Sequence, residues 1–231
     1  MDFSKVKNSY RKNAYVQKEM AKRLISILKD KKGNIFNSVF EIGAGTGFLT
    51  DCINKNLQYN KIVLNDITDN FTNFSPDVFL KGDILKTDIP YKFDLILSNA
   101  VFQWIDDYKA LFLKLKNALN KNGILCFSCF GRENFKQIKD ITGFGLNYPC
   151  LSGLLKENGF EVLYFEEELK TLYFNNINDL LLHIKFTGVK TENKFWTKKD
   201  YINFSNLYYE KYKDNLGFEL TYHPVYYLAC Y

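Results

Sequence analysis

The sequence predicts an α/β fold built on a mostly parallel sheet, closed by an antiparallel final strand and carrying a helical cap. Three observations point there. Strand-like and helix-like segments alternate through the first half of the chain, a glycine-rich turn follows the first strand, and the pattern changes after Gly131. Strands joined through helices imply a parallel sheet covered on both faces. With 231 residues, 46% of them hydrophobic and 25% charged, the chain can bury one substantial core, so a single domain over 1–231 is expected.

Val16, Met20, Leu24, Ile27 and Leu28 recur at helical spacing, which predicts a helix over 14–29 that stops at Gly33 and Asn34. A strand over 37–42 then enters the glycine turn and a helix over 47–56. Strands over 61–66, near 77–80 and over 93–98 follow. The helix over 106–120 has the clearest stripe, Tyr108, Leu111, Phe112, Leu115, Ala118 and Leu119, with Asn122-Gly123 as its stop. A strand over 123–130 ends this half. Beyond Gly131, helices are predicted over 134–141, 150–158, 176–187 and 197–212, while 160–173 and 217–229 form an antiparallel strand pair. The simplest arrangement completes the sheet with that pair and inserts the helices of 176–212 between its strands as a cap. Pro224 lacks the amide a central strand needs, so regular pairing is expected from Val225, or a bulge at the proline.

Composition narrows the function. The stretch Phe93–Ile105 is interrupted by Asp94, Ser98 and Asn99 and is too short to cross a bilayer, and the polar start MDFSKVKNSYRKN lacks a signal-peptide core. A cytoplasmic protein without membrane contact is expected. Five scattered cysteines, Cys52, Cys126, Cys129, Cys150 and Cys230, suit reduced thiols. Cys126 and Cys129 fall in a strand, where that spacing sends side chains to opposite faces, so no metal site is expected. A net charge of +5 favours an acidic partner in diffusional encounter, and no arginine-rich run supports nucleic acid.

The chemistry is concentrated in FEIGAGTGFLT, residues 40–50. Glycines allow close backbone approach and the following helix offers unpaired amides to a ligand, which points to a nucleotide-like molecule. A dinucleotide loop would carry G-x-G-x-x-G, whereas Gly43-Ala44-Gly45-Thr46-Gly47-Phe48 has phenylalanine at the third glycine and Glu41 two positions before the turn. Both count against a nicotinamide oxidoreductase. A glycine turn alone also serves as a tight strand-to-helix connection with no ligand.

With Glu41 included, the turn resembles the first motif, E/D-x-G-x-G-x-G, of the class I S-adenosylmethionine-dependent methyltransferases. That resemblance implies a Rossmann-like fold with a seven-stranded sheet and assigns Gly43, Ala44, Gly45, Thr46 and Gly47 to the methionine and ribose of the cofactor. It gives Glu41 to the methionine ammonium, directly or through water. Asp66, ending IVLND, matches the acid that takes both ribose hydroxyls, for which a two-oxygen carboxylate is suited. Asp83 matches the acceptor for the adenine amine, with Ile67 and Ile84 on either side of the ring.

Ser98-Asn99-Ala100-Val101-Phe102-Gln103-Trp104, the start Phe3–Gln17, Phe130-Gly131, Lys185-Phe186-Thr187-Gly188 and Leu220-Thr221-Tyr222-His223 together resemble the malonyl-acyl-carrier-protein methyltransferases of early biotin synthesis. The resemblance implies an enzyme that methylates the free carboxylate of malonyl-acyl carrier protein, leaving S-adenosylhomocysteine; a monomer is expected by default, since neither the sequence nor the resemblance sets the oligomeric state. It implies Gln103 and Trp104 at the methyl-transfer chamber, Ser98 and Asn99 beside the cofactor, Tyr10 on a lid and Gln17 holding that lid. Asn99 serves equally well as a tie to the loop backbone. Lys185 is the expected counter-charge to the acceptor carboxylate, with Arg132 in reserve and Tyr222 and His223 as orienting donors. Lys198, Lys199, Lys211 and Lys213 are positioned to guide an acidic carrier. Within the single domain, 1–33 then forms the lid and first helix, 34–131 the cofactor core, and 132–231 the sheet completion and cap. The short region between Asp66 and Asp83 and Pro224 in the last strand depart from the family pattern. Another small-molecule methyltransferase and a noncatalytic cofactor-binding protein remain as alternatives.

Overall fold

A computed structural model describes residues 13–69, 75–143, 148–187 and 197–231. In chain order, α1 is Tyr15–Lys32, β1 Ser38–Ile42, α2 Phe48–Asn56, β2 Lys61–Asp66, β3 Val78–Lys81 and β4 Phe93–Asn99. A short 3-10 helix, Phe102–Trp104, precedes α3 Tyr108–Ala118 and β5 Leu119–Phe130. Then come α4 Lys136–Thr142, α5 Leu151–Glu157, β6 Glu161–Glu167, β7 Lys170–Phe174, α6 Ile177–Phe186 and α7 Lys198–Tyr212. The chain closes with β8 Lys213–Asp214, β9 Gly217–Tyr222 and β10 Pro224–Cys230.

A 7-stranded sheet has the order β3-β2-β1-β4-β5-β10-β6, and a 3-stranded sheet the order β7-β9-β8. In the large sheet β1 pairs in parallel with β2 and β4, β2 with β3, and β4 with β5. The β5-β10 and β10-β6 pairings are antiparallel. This is the Rossmann-like, mostly parallel sheet the sequence predicts. Strand order reverses between β1 and β4, so their carboxyl ends flank the crevice where open α/β sheets receive ligands.

Two compact units divide the chain. The major unit, Tyr15–Cys129, Cys150–Glu166 and Val225–Tyr231, carries the large sheet with α1, α2, α3 and α5. Its core is aromatic: Phe40 stacks on Phe93 and Phe127 on Tyr227, each pair with ring centroids 4.9 Å apart. The predicted stripe of α1 is buried and packs on α2 and β4. The minor unit includes Phe130–Pro149 and Glu167–Pro224, with the small sheet, α4, α6 and α7.

Caps explain why the helices start where they do. Asp107 accepts from the Ala110 amide ahead of α3, and Asn176 from the Asp179 amide ahead of α6. Thr197 and Asp200 form a reciprocal capping box at the start of α7. Two expectations need correction. The pair Asn122-Gly123 does not stop α3, because Leu119 already pairs with Phe93 in the sheet and the pair lies inside the irregular start of β5. Nor do 160–173 and 217–229 form one continuous antiparallel pair. Each run breaks in the middle, so that β6 and β10 join the large sheet while β7 and β9 pair in the small one. The second break falls at His223 and leaves Pro224 as the first residue of β10, a position where its missing amide is tolerated.

Candidate active site

The glycine turn is fixed from below by β2. Gly43 and Ala44 both donate their amides to the Asn65 carbonyl, at 2.8 and 3.1 Å, and Gly45 donates to Asp66 Oδ2 at 2.8 Å. Asp66 Oδ1 accepts from the amide and hydroxyl of Thr68. At Gly43 (φ +71°) a Cβ would lie 2.2 Å from Val101 Cγ2, so the loop after β4 fits only against a bare backbone. At Gly45 (φ +53°) a Cβ would find no atom nearer than 3.8 Å, which leaves the outer side of the turn open.

Glu41 is 1% exposed beneath this turn and accepts from Thr50 Oγ1 at 2.7 Å. Burial pushes its carboxyl up to about 8, and the negative charges of Asp66 and Asp51 add to the shift against the Thr50 hydrogen bonds. At neutral pH Glu41 is therefore mainly the neutral acid, tied to α2.

From the other side of the crevice, β4 brings Ser98, whose hydroxyl donates to the Ile42 carbonyl at 3.0 Å. Asn99 is engaged at both ends of its amide: Nδ2 donates to the Gln17 carbonyl at 3.0 Å and Oδ1 accepts from Ser128 Oγ at 2.6 Å. Both contacts lie outside the loop that follows β4, on α1 and β5. Gln103 Nε2 donates to the Ala100 carbonyl at 2.7 Å, and Trp104, partly exposed, closes the 3-10 helix.

Three buried side-chain atoms have no hydrogen-bond partner among the described residues: Gln17 Oε1, Thr46 Oγ1 and Gln103 Oε1. All three belong to residues singled out from the sequence. A buried acceptor without a donor costs about 1–3 kcal/mol. Amide oxygens only accept, so two of these atoms suit a ligand that brings N–H donors or positive charge.

Beyond β3, the Gly82 amide donates to the Asp66 carbonyl at 2.8 Å, and Asp83 Oδ1 accepts from the Leu85 amide at 3.0 Å. Ile67 is 54% exposed, whereas Ile84 is buried in the apolar core. Tyr10 lies outside the described residues, as do 70–74 in the shortened segment between Asp66 and Asp83.

In the minor unit, Tyr222 is fully buried and its hydroxyl lies 2.8 Å from His183 Nε2. Burial pushes His183 down to about 4, so this imidazole is neutral at physiological pH. His223 Nδ1 accepts from the Glu133 amide at 3.1 Å, which leaves the ring proton on Nε2, 3.2 Å from Glu167 Oε2. Lys185 and Arg132 are exposed. Among the four lysines expected to guide a carrier, Lys211 is bonded to Asp140 at 2.8 Å and Lys213 lies over the Tyr209 ring; Lys198 and Lys199 are exposed.

Sequence reasoning missed His183, Glu167 and the buried Gln137, which exchanges two hydrogen bonds with Thr221. His183 had a signal: Leu180, His183, Ile184 and Thr187 occupy one helical stripe, and that stripe is the buried face of α6. Lys185, two positions beyond His183, is turned about 200° away at the spacing of an α-helix.

A methyltransferase-domain family model matches residues 40–125, from the glycine turn to β5. A solved chain from Bacillus halodurans C-125, a candidate methyltransferase, shares the fold at a TM-score of 0.61 and 15% identity, covering 89% of this chain and 96% of its own. Closer in sequence is the malonyl-acyl-carrier protein O-methyltransferase of Calditerrivibrio nitroreducens, 42% identical over 99% of this chain and 94% of its own length. The protein of the same name from Haemophilus influenzae is 34% identical over 99% and 92%. With identity at this level sustained along nearly the whole chain, and the domain match lying on the strands that hold the glycine turn, the chain belongs to the malonyl-acyl-carrier protein O-methyltransferase family.

Proposed function

We propose that this protein transfers the methyl group of S-adenosylmethionine to the free carboxylate of malonyl-acyl carrier protein, giving a malonyl methyl ester that can start pimeloyl synthesis for biotin. The observation that carries the donor half is the trio of buried, unpartnered oxygens on Gln17, Thr46 and Gln103. The acceptor half rests on the relatives' shared name at up to 42% identity.

The donor residues fit such a cofactor. Bound S-adenosylmethionine supplies an electrophilic methyl on a positively charged sulfur. Gln17 and Gln103 offer amide oxygens to its ammonium, and Thr46 offers a hydroxyl. Glu41 acts on the methionine end indirectly, by fixing α2 through Thr50. Asp66 spends part of its acceptor capacity on Gly45 and Thr68, and a carboxylate with about four lone-pair sites keeps room for a ribose diol. Asp83, with Ile67 and Ile84, serves the adenine, and Ser98 and Asn99 hold the crevice wall; the lid role of Tyr10 falls outside the described residues.

A malonyl carboxylate is ionised at neutral pH and already has the lone pair that attacks the methyl carbon, so no general base is needed. The protein's task is alignment at about 3–3.5 Å and exclusion of water from two charges that neutralise as the bond forms. Gln103 and Trp104 shape the chamber. Lys185, with Arg132 in reserve, supplies the counter-charge, and Tyr222 and His223 orient the acceptor. The chain's net charge of +5 favours an acidic carrier. A monomeric, cytoplasmic enzyme suffices for this reaction.

The test is incubation with isotope-labelled methyl donor and malonyl-, acetyl- or succinyl-acyl carrier protein, with mass spectrometry locating the label. Label on the malonyl carrier alone is expected; inactivity on all three defeats the proposal.

A further inference from the structure

Lys114 follows Leu111 by three positions and precedes Leu115 and Ala118 on the buried stripe of α3, yet it ends in a charge. Its Nζ donates to three carbonyl oxygens, of Ile84 at 3.0 Å, Leu85 at 2.8 Å and Thr87 at 2.7 Å. An ammonium has three protons, and all three are used on one turn. Asp83 gathers that turn from its other polar side. The Asp83 carboxylate accepts the Leu85 amide, while its carbonyl accepts the amides of Lys86 and Thr87 at 2.9 and 2.8 Å and the Thr87 hydroxyl at 2.8 Å. The turn after β3 therefore has its amides collected on Asp83 and its carbonyls on Lys114. Without the ammonium, three converging carbonyls would face one another with no donor, and part-buried acceptors are costly to leave unpaired.

We propose that Lys114 is a positioning residue for the nucleobase end of the donor site, holding the turn that presents Asp83 to the adenine. This role presupposes the cofactor site proposed above. Lys114 itself touches only backbone and acts through the shape of the turn, so its removal should affect recognition of the adenosine half and leave the acceptor half alone.

The prediction separates into two measurements on Lys114→Met and on the milder Lys114→Gln, whose amide retains donors. Without any ligand, hydrogen exchange at the amides of Leu85, Lys86 and Thr87 should accelerate by about tenfold or more, since one charged hydrogen-bonding group supports their closure. By calorimetry, affinity for 5′-methylthioadenosine should fall by about tenfold in Lys114→Met and less in Lys114→Gln. In turnover, KM for the methyl donor should rise while kcat and KM for the malonyl carrier stay within about twofold, a split that general loss of packing does not produce. Lys109→Met, at an exposed position of the same helix, serves as the unchanged control. A Lys114→Ala chain should recover part of its affinity in methylammonium chloride and none in sodium chloride of equal ionic strength.

Uptake of 5′-methylthioadenosine and S-adenosylhomocysteine by neither the unsubstituted protein nor its variants would remove the cofactor site, and this role with it. Equal uptake by the unsubstituted protein, Lys114→Met and Lys114→Gln would overturn the role of Lys114 alone. Exchange that accelerates across the whole sheet, with both KM values rising together, would overturn it as well, by marking the lysine as general scaffolding.

Discussion

Replacing Glu41 with glutamine should make the ligand-free protein more stable at mildly alkaline pH, although it removes a residue of the proposed site. Glu41 is 1% exposed, and its carboxyl is raised from 4.5 to about 8, first by burial and then by Asp66 and Asp51. Across that window the folded state holds a proton that the unfolded chain has released, so stability falls as pH rises. Each pH unit corresponds to about 1.4 kcal/mol, which makes the total loss on the order of 4 kcal/mol by about pH 8. Glutamine has nearly the same shape and can still accept from Thr50 Oγ1, but it cannot ionise. Urea denaturation of both chains at about pH 5, 6, 7 and 8 isolates the effect, because titration of every other group cancels in the difference. The two should agree within about 1 kcal/mol at the acid end and diverge in favour of Glu41→Gln by several kcal/mol at the alkaline end. Parallel profiles over the whole range would refute the assignment of a neutral, buried acid.

His183 should produce the opposite limb. Its imidazole is lowered from 6.5 to about 4 by burial, so the stability it allows is complete above about pH 6.5 and is lost as pH falls toward 4; in His183→Phe that part of the acid sensitivity, on the order of 2 kcal/mol, should vanish from denaturant titrations. Gly43→Ala should cost at least about 2 kcal/mol, because the new methyl meets Val101 at 2.2 Å and the backbone stands at φ +71°; adding Val101→Ala should relieve the clash and leave the strain, recovering only part of the loss in urea midpoints. Arg23 and Glu166 form a two-pronged pair at 2.7 and 2.6 Å, but the arginine side chain is 45% exposed, so a double-mutant cycle should give a coupling below about 1 kcal/mol. Lys185→Met should raise KM for the malonyl carrier while calorimetric affinity for S-adenosylhomocysteine is retained; the reverse pattern would assign the lysine to the donor.

The major unit was legible wherever a short-range rule decided the outcome. The apolar stripe of α1 and the glycine turn both depend on neighbours within a few residues. The Asn122-Gly123 pair misled because it has the composition of a helix stop, whereas Leu119 is claimed by its sheet partner Phe93. The break between β9 and β10 had no local mark beyond Pro224. It is set where His223 meets the Glu133 amide and the Glu167 carboxylate, 90 and 56 residues away in the chain, and alternation of exposed and half-buried side chains runs through β6 without announcing an end. Within the candidate site, residue types showed which side chains were present but not which of their atoms lacked partners. Gln17 and Gln103 were identifiable; that an amide oxygen of each is left over is a property of the fold. Lys114 carried a signal that passed unnoticed, a charge on an apolar stripe, which calls for a buried partner.

The chain has two histidines, and the structure commits both. His183 is held neutral against Tyr222, and His223 accepts a backbone amide on Nδ1 while Nε2 faces Glu167. Burial holds His183 neutral, and for His223 to take a proton on Nδ1 it would have to surrender the Glu133 amide. A thiol or an unactivated hydroxyl must lose a proton in the course of methylation, and histidine is the side chain that most often takes it. A carboxylate loses none, because it arrives ionised and forms a neutral ester. The burial of His183 and the backbone bond on His223 Nδ1 thus agree with an acceptor that is already an anion. Converting Tyr222 to phenylalanine and His183 to asparagine together should accordingly alter acceptor KM without introducing a new basic limb into the pH profile of kcat. The appearance of a limb near the ordinary histidine range in the unsubstituted enzyme would show instead that an imidazole takes a proton during turnover.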